Sequence, residues 1–151
     1  MKNAESEALR MDDTVRQLAG EALQARERSY SPYSRFAVGA ALLAEDGRIF
    51  TGCNIENAAF SPTICAERTA IFNAVSEGVR SFRAIAIAGG PAGEPAAEYC
   101  PPCGVCRQVM REFCDDDFPI LLVVASGSPR IITLGSLLPD SFGPDLVKGR
   151  K

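Results

Sequence analysis

The stretch FAVGAALLAEDGRIFTGC, residues 36–53, decides how the chain folds. Phe36 to Ala44 is an apolar run, Arg48 to Cys53 is a second, β-prone run, and Glu45-Asp46-Gly47 joins them. Asp-Gly supplies the positive φ angles of a tight hairpin, so the two runs are expected to pair antiparallel. On the N-terminal side, Thr14 to Arg28 sets Val15, Leu18, Ala19, Ala22 and Leu23 at helical spacing, with Asp13 or Thr14 as cap. That predicts a first helix, preceded by a flexible N-terminal segment over residues 1–13. On the C-terminal side, Cys65 to Glu77 carries Ala66, Ala70, Ile71, Ala74 and Val75 and stops at Gly78, a helix that opens on Cys65. Arg83 to Ala88 reads as a short buried strand, and Gly89 to Pro101 as a Gly/Pro-rich loop that delivers Cys103 to the start of a helix ending near Phe113. Ile120 to Ala125 and Arg130 to Leu134 flank Ser126-Gly127-Ser128-Pro129 and give two more strands, followed by a Pro/Gly-rich tail from Leu137. No repeat or linker divides the chain, so residues 1–151 form one domain. The order α-β-β-α-β-α-β-β belongs to the α/β class, a sheet covered by helices.

At 151 residues, with 46% hydrophobic and 23% charged residues, the chain can bury a core without disulfide support. A net charge of −3 and the absence of a Lys/Arg cluster argue against a nucleic-acid partner, which would need a basic patch, and favour a small substrate. No apolar run reaches membrane-spanning length, and Met1 to Asp13 lacks the apolar centre of a secretory signal, so no membrane partner and a cytoplasmic location are expected. In that setting the six cysteines point to metal or catalysis rather than disulfides.

The chemistry begins at two helix starts. Cys65-Ala66-Glu67-Arg68 opens one and Pro102-Cys103-Gly104-Val105-Cys106 opens the other, in a chain that has no histidine. A cysteine at a helix N-terminus sits beside unpaired N–H groups and the positive end of the helix dipole, which favour the thiolate a metal needs. Three thiolates can hold zinc and leave its fourth position open to water, and Glu67 is placed to move that water's protons. The pattern suggests hydrolysis. Zinc with three thiolates carries a formal negative charge that weakens it as a Lewis acid. Arg68, three residues after Cys65 on the same side of its helix, is therefore expected to hydrogen-bond the sulfur and offset that charge.

Five blocks in order resemble the small, homotetrameric, zinc-dependent cytidine deaminases: Ser31-Pro32-Tyr33-Ser34-Arg35-Phe36 leading to Val38-Gly39-Ala40-Ala41; Asn54-Ile55-Glu56-Asn57; Cys65-Ala66-Glu67-Arg68-Thr69-Ala70; Pro102 to Val109; and Leu138-Pro139 with Ser141-Phe142. The likeness covers residues 14–148. It implies a three-layer α/β/α sandwich around a mixed sheet of about five strands, and one zinc per chain on Cys65, Cys103 and Cys106. Glu67 would shuttle protons from water to N3 of cytosine and then to the leaving amine, converting cytidine and deoxycytidine to uridine and deoxyuridine with release of ammonia, a pyrimidine-salvage reaction. Asn54 and Glu56 would read the sugar's 3′-hydroxyl, Phe36 would pack on the base, the Ala66 N–H would bind the base's O2, and Phe142 would reach a neighbouring subunit of the homotetramer. A carboxylate at the sugar would also repel a phosphate, favouring nucleosides over nucleotides.

Plainer roles exist for each residue. Phe36 in an apolar strand is ordinarily core, Phe142 a tail anchor, Asn54 and Glu56 the polar face of a strand end, and Glu67 a surface acid in a first turn. Cys53 and Cys114 read as small core residues. Cys100 with Cys103 and Cys106 forms C-x-x-C-x-x-C, but Met110 stands where an iron–sulfur run needs its fourth cysteine, so Cys100 is expected to be free and partly exposed. Phe60 stands where many relatives carry Tyr, and Asp115-Asp116-Asp117 reads as a solvated loop. Rival functions are a non-catalytic zinc module, which would need a fourth protein ligand, a polynucleotide-editing deaminase, which would need a basic groove, and deamination of another cytosine nucleoside such as blasticidin S. Blasticidin deaminases lack the Asn-x-Glu sugar reader, so Asn54 and Glu56 favour cytidine.

Overall fold

The computed structural model describes the backbone of residues 2–149 and the side chains of residues 12–149. Its elements are α1 (Lys2–Arg26), β1 (Phe36–Ala44), β2 (Ile49–Cys53), α2 (Ala66–Ser76), β3 (Phe82–Pro91), α3 (Gly104–Phe113), β4 (Pro119–Val123), β5 (Arg130–Thr133), α4 (Leu134–Leu137) and α5 (Pro144–Lys148). The five strands form one sheet in the order β2-β1-β3-β4-β5. The expected hairpin pairs Gly39 with Cys53 and Leu43 with Ile49, antiparallel throughout. Only β3 and β4 run parallel, joined through α3, which makes the sheet mixed.

Helices cover both faces, as a three-layer α/β/α sandwich requires. Leu18 and Ala22 of α1 pack with Ala41, Leu43, Ala86 and Leu121 on one face. Ala70, Ile71 and Ala74 of α2 and Cys106 and Met110 of α3 pack with Leu42, Ile85, Ile87 and Ile120 on the other. β3 is buried on both faces, which is why Phe82 to Ala88 reads as a nearly continuous apolar run. Two glycines set how closely the helices approach. A Cβ at Gly39 would lie 2.1 Å from the Ala22 carbonyl of α1, and one at Gly52 would lie 2.5 Å from the Ala70 nitrogen of α2. Only glycine permits these contacts.

The structure departs from the sequence reading in several places. Helix α1 starts at Lys2, well before Thr14, so helical backbone runs through most of the segment expected to be flexible. Strand β3 continues to Pro91, past the expected end at Ala88, because Phe36, Ala37 and Val38 of β1 pair with Pro91, Gly90 and Gly89. The Pro/Gly-rich tail holds two short helices, α4 capped by Thr133, whose side chain accepts from the Ser136 N–H. Cys114 is buried as expected, but Cys53 is only half-buried, its thiol directed at the Arg28 carbonyl at 3.4 Å.

Candidate active site

Cys65 and Cys103 are the N-cap residues of α2 and α3, and neither uses its side chain to cap its helix. The two helix starts meet, with Cys65 Sγ 3.6 Å from Cys103 Sγ. Cys106, in the first turn of α3, completes a group whose three sulfurs lie within 4.8 Å of one another. Sulfurs bound tetrahedrally to one zinc at about 2.3 Å stand roughly 3.8 Å apart, so the donor set fits that ion. Cys106 is buried, Cys65 half-buried and Cys103 exposed, so the group opens to one side. Cys100 is not a member and all six cysteines are unpaired.

The Cys106 thiol, followed by Arg68 and Cys103, holds the Cys65 thiol well below the usual thiol range, and Cys106 is raised in turn. Arg68 Nη2 donates to Cys65 Sγ at 3.4 Å, as its position three residues on predicted, while its Nε is buried with no acceptor among the described residues. Glu67 is only 4% exposed, which excludes a solvated surface role. Burial, reinforced by the nearby Cys65 charge, pushes its carboxyl up to about 7. A carboxyl poised near neutrality can both accept and return a proton. Ala66, the first residue of α2, is fully buried beside it, and by its position its N–H has no acceptor within the helix.

A second group of side chains lies one bridge away. Ile55 exchanges backbone hydrogen bonds with Ile64, just before Cys65, and bridges Tyr30 on its other side. This holds Asn54 and Glu56 beside the turn that leads into β1. Asn54 Oδ1 accepts from Ser29 Oγ at 2.5 Å and from the Val38 N–H at 2.9 Å, and its Nδ2 donates to the Phe36 carbonyl at 2.7 Å. Glu56 Oε1 accepts from the Tyr33 and Ser34 N–H groups at 2.9 and 3.0 Å, and Oε2 accepts from Ser34 Oγ. Valence counting leaves Asn54 one N–H and Glu56 one lone pair on Oε2. One donor and one acceptor suffice for a single hydroxyl.

The remaining sequence-predicted residues fall in two places. Phe36 is part-exposed at the start of β1 and shares a cavity wall with Cys100, whose sulfur packs against Gly89. Burial, with the charges of Glu67 and Cys65, pushes the Cys100 thiol up to about 11, so it remains a neutral wall. Phe142 is exposed and lies against α3 instead, its carbonyl accepting from Gln108 Nε2 at 3.2 Å. Sequence reasoning missed the Ser29 and Ser34 hydroxyls, whose only outward sign is the Ser-rich turn before Phe36. It also missed Arg26, a buried guanidinium at the end of α1 that donates to the Ala37, Pro91 and Glu94 carbonyls and fixes the loop after β3.

A family model described as the cytidine and deoxycytidylate deaminase zinc-binding region matches residues 12–122. A cytidine deaminase of Sporosarcina psychrophila is 51% identical over 87% of this chain and 93% of its own length. One of Mycobacterium tuberculosis is 44% identical over 85% of this chain and 89% of its own. The crystal structure of a cytidine deaminase from Burkholderia pseudomallei superposes with a TM-score of 0.76 at 45% identity, covering 84% of this chain and 98% of that one.

Proposed function

The chain belongs to the cytidine and deoxycytidylate deaminase family, and from that premise we propose that it hydrolyses cytidine and deoxycytidine to uridine and deoxyuridine with release of ammonia. The observation that carries this reading is the burial of Glu67 beside three converging sulfurs. Cys65, Cys103 and Cys106 would hold a zinc ion, which would supply the Lewis acidity that makes a water molecule acidic enough to serve as nucleophile. Glu67 takes one proton from the attacking water and delivers it to N3 of cytosine as the water oxygen bonds to C4. The same carboxyl then takes that oxygen's remaining proton and hands it to the exocyclic amine, so that the C4–N bond breaks, C4 becomes a carbonyl and ammonia departs. Arg68 offsets thiolate charge, the Ala66 N–H binds the base's O2, and Phe36 packs on the ring.

The donor and acceptor left on Asn54 and Glu56 engage one sugar hydroxyl, which we assign as the 3′-hydroxyl. With that single contact the 2′-hydroxyl goes unread, which accommodates both cytidine and deoxycytidine. Ionised Glu56 repels a phosphorylated sugar. We further propose a homotetramer in which Phe142 closes a neighbour's site, a reading supported by exposed apolar residues at Phe60, Phe142, Leu146 and Val147. Among the described residues no helix is long and apolar enough to cross a membrane, and we assign salvage of pyrimidine nucleosides in the cytoplasm. Purified protein incubated with cytidine or deoxycytidine should yield uridine or deoxyuridine at one zinc per chain. A zinc-loaded sample that turns over neither nucleoside contradicts the proposal.

A further inference from the structure

The hydroxyl of Ser34 stands between the two halves of the recognition site. Its Oγ donates to Glu56 Oε2 and accepts from the Phe36 N–H at 3.0 Å. The Phe36 carbonyl in turn accepts from Asn54 Nδ2. Phe36 is thus held at its N–H through Ser34 and at its carbonyl by Asn54, in a chain of hydrogen bonds running from Glu56 through Ser34 and Phe36 to Asn54. The turn that carries Ser34 is built for this. Arg35, the residue between Ser34 and Phe36, has a φ of 54°, and its carbonyl accepts from the Ala92 N–H at 2.8 Å while its N–H donates to the Ser31 carbonyl at 2.9 Å. A non-glycine residue in the left-handed region costs free energy that the surrounding bonds must offset.

We infer that Ser34 is a positioning and specificity-determining residue, which orients the Glu56 carboxylate toward the substrate's sugar hydroxyl and ties that carboxylate to the Phe36 wall under the base. The inference rests on the reading of Asn54 and Glu56 as the sugar-binding pair. Glu56 has only one lone pair to offer, and Ser34 fills the other position on the same oxygen. With Oε1 held by the Tyr33 and Ser34 N–H groups, the Ser34 hydroxyl fixes which lone pair of Oε2 remains for the substrate. The same hydroxyl holds the Glu56 carboxyl below the usual carboxylate range, so it stays an acceptor. A charge-assisted bond of this kind is directional and short, suited to aiming a side chain that is otherwise exposed.

The test compares cytidine with 3′-deoxycytidine, which lacks the hydroxyl, in wild type and in the Ser34→Ala and Ser34→Thr variants. Wild type should prefer cytidine. Ser34→Ala should lose about tenfold of that preference in kcat/KM, the scale of one hydrogen bond to a charged group, mostly through KM and with zinc content unchanged. Ser34→Thr, which keeps the hydroxyl, should restore it. If Ser34→Ala slows both substrates equally, Ser34 merely supports the turn and the inference falls, while the sugar-reader reading survives. If wild type shows no preference for cytidine, the sugar-reader reading falls and takes the inference with it. Should Ser34→Ala fail to fold, Ser34→Gly replaces it in the same comparison.

Discussion

Arg68 supplies in charge what a neutral ligand would supply in coordination. Three thiolates would leave zinc with a net negative charge, and the guanidinium bound to Cys65 Sγ removes part of it. Replacing Arg68 by Gln should lower zinc affinity or kcat/KM by about 10–100-fold, the usual cost of losing a partner to a metal ligand, measured by metal competition and steady-state kinetics. Cys100 offers the converse case. It is the sulfur that spacing alone could have counted as a fourth ligand, yet it packs on Gly89 outside the three-sulfur group. Cys100→Ser should retain one zinc per chain and near-normal turnover, and loss of metal in that variant would reassign the ligands. At this scale the convergence of Cys65, Cys103 and Cys106 was legible because C-x-x-C and Cys-Ala-Glu are local patterns. The burial of Glu67 was not legible, since a first-turn glutamate is ordinarily solvated and this one is buried beside Cys106, which comes from a distant part of the chain.

Between residues and molecule, each element delivers a piece of the site through its packing. Helix α2 can present Cys65 only because Gly52 lets it sit directly on β2. Gly52→Ala forces a Cβ against the Ala66 carbonyl and Ala70 nitrogen, so α2 must move outward and carry Cys65 away from Cys103. Overpacking of this kind costs about 1–3 kcal/mol, and we expect a lowered melting temperature together with reduced zinc content. A variant that melts lower but binds zinc normally would show that α2 adjusts without moving its first turn. The hairpin and the helix starts were readable from Asp-Gly and from the cysteines. The end of β3 was not, because Gly89-Gly90-Pro91 carries every local sign of a loop, and long-range pairing with β1 overrides it. The Ser34 turn escaped for a related reason: nothing in Ser-Pro-Tyr-Ser reveals that its N–H groups converge on a glutamate over twenty residues away.

For the whole molecule, the metal site meets the core along one edge. Two apolar clusters, one on each face of the sheet, make up that core, and of the three sulfur residues Cys106 is buried in one cluster and Cys65 packs against it. Removing zinc with a chelator should abolish turnover while leaving far-UV circular dichroism nearly intact, with the melting temperature lowered as expected when a ligand specific to the native state is withdrawn. Collapse of secondary structure on chelation would mean that the site carries the fold. The sandwich itself was legible because element order and apolar runs constrain it tightly. The proposed assembly has no such pattern behind it: on its own chain Phe142 is exposed and lies against α3. Whether the buried carboxyl of Glu67 moves the protons of a zinc-dependent deamination is settled by cytidine turnover of Glu67→Gln beside wild type, with zinc counted in both. Each protein should hold one zinc per chain, and the variant should lose at least about 10²–10⁴-fold in kcat. A zinc-loaded Glu67→Gln protein that deaminates cytidine at the wild-type rate would contradict that role.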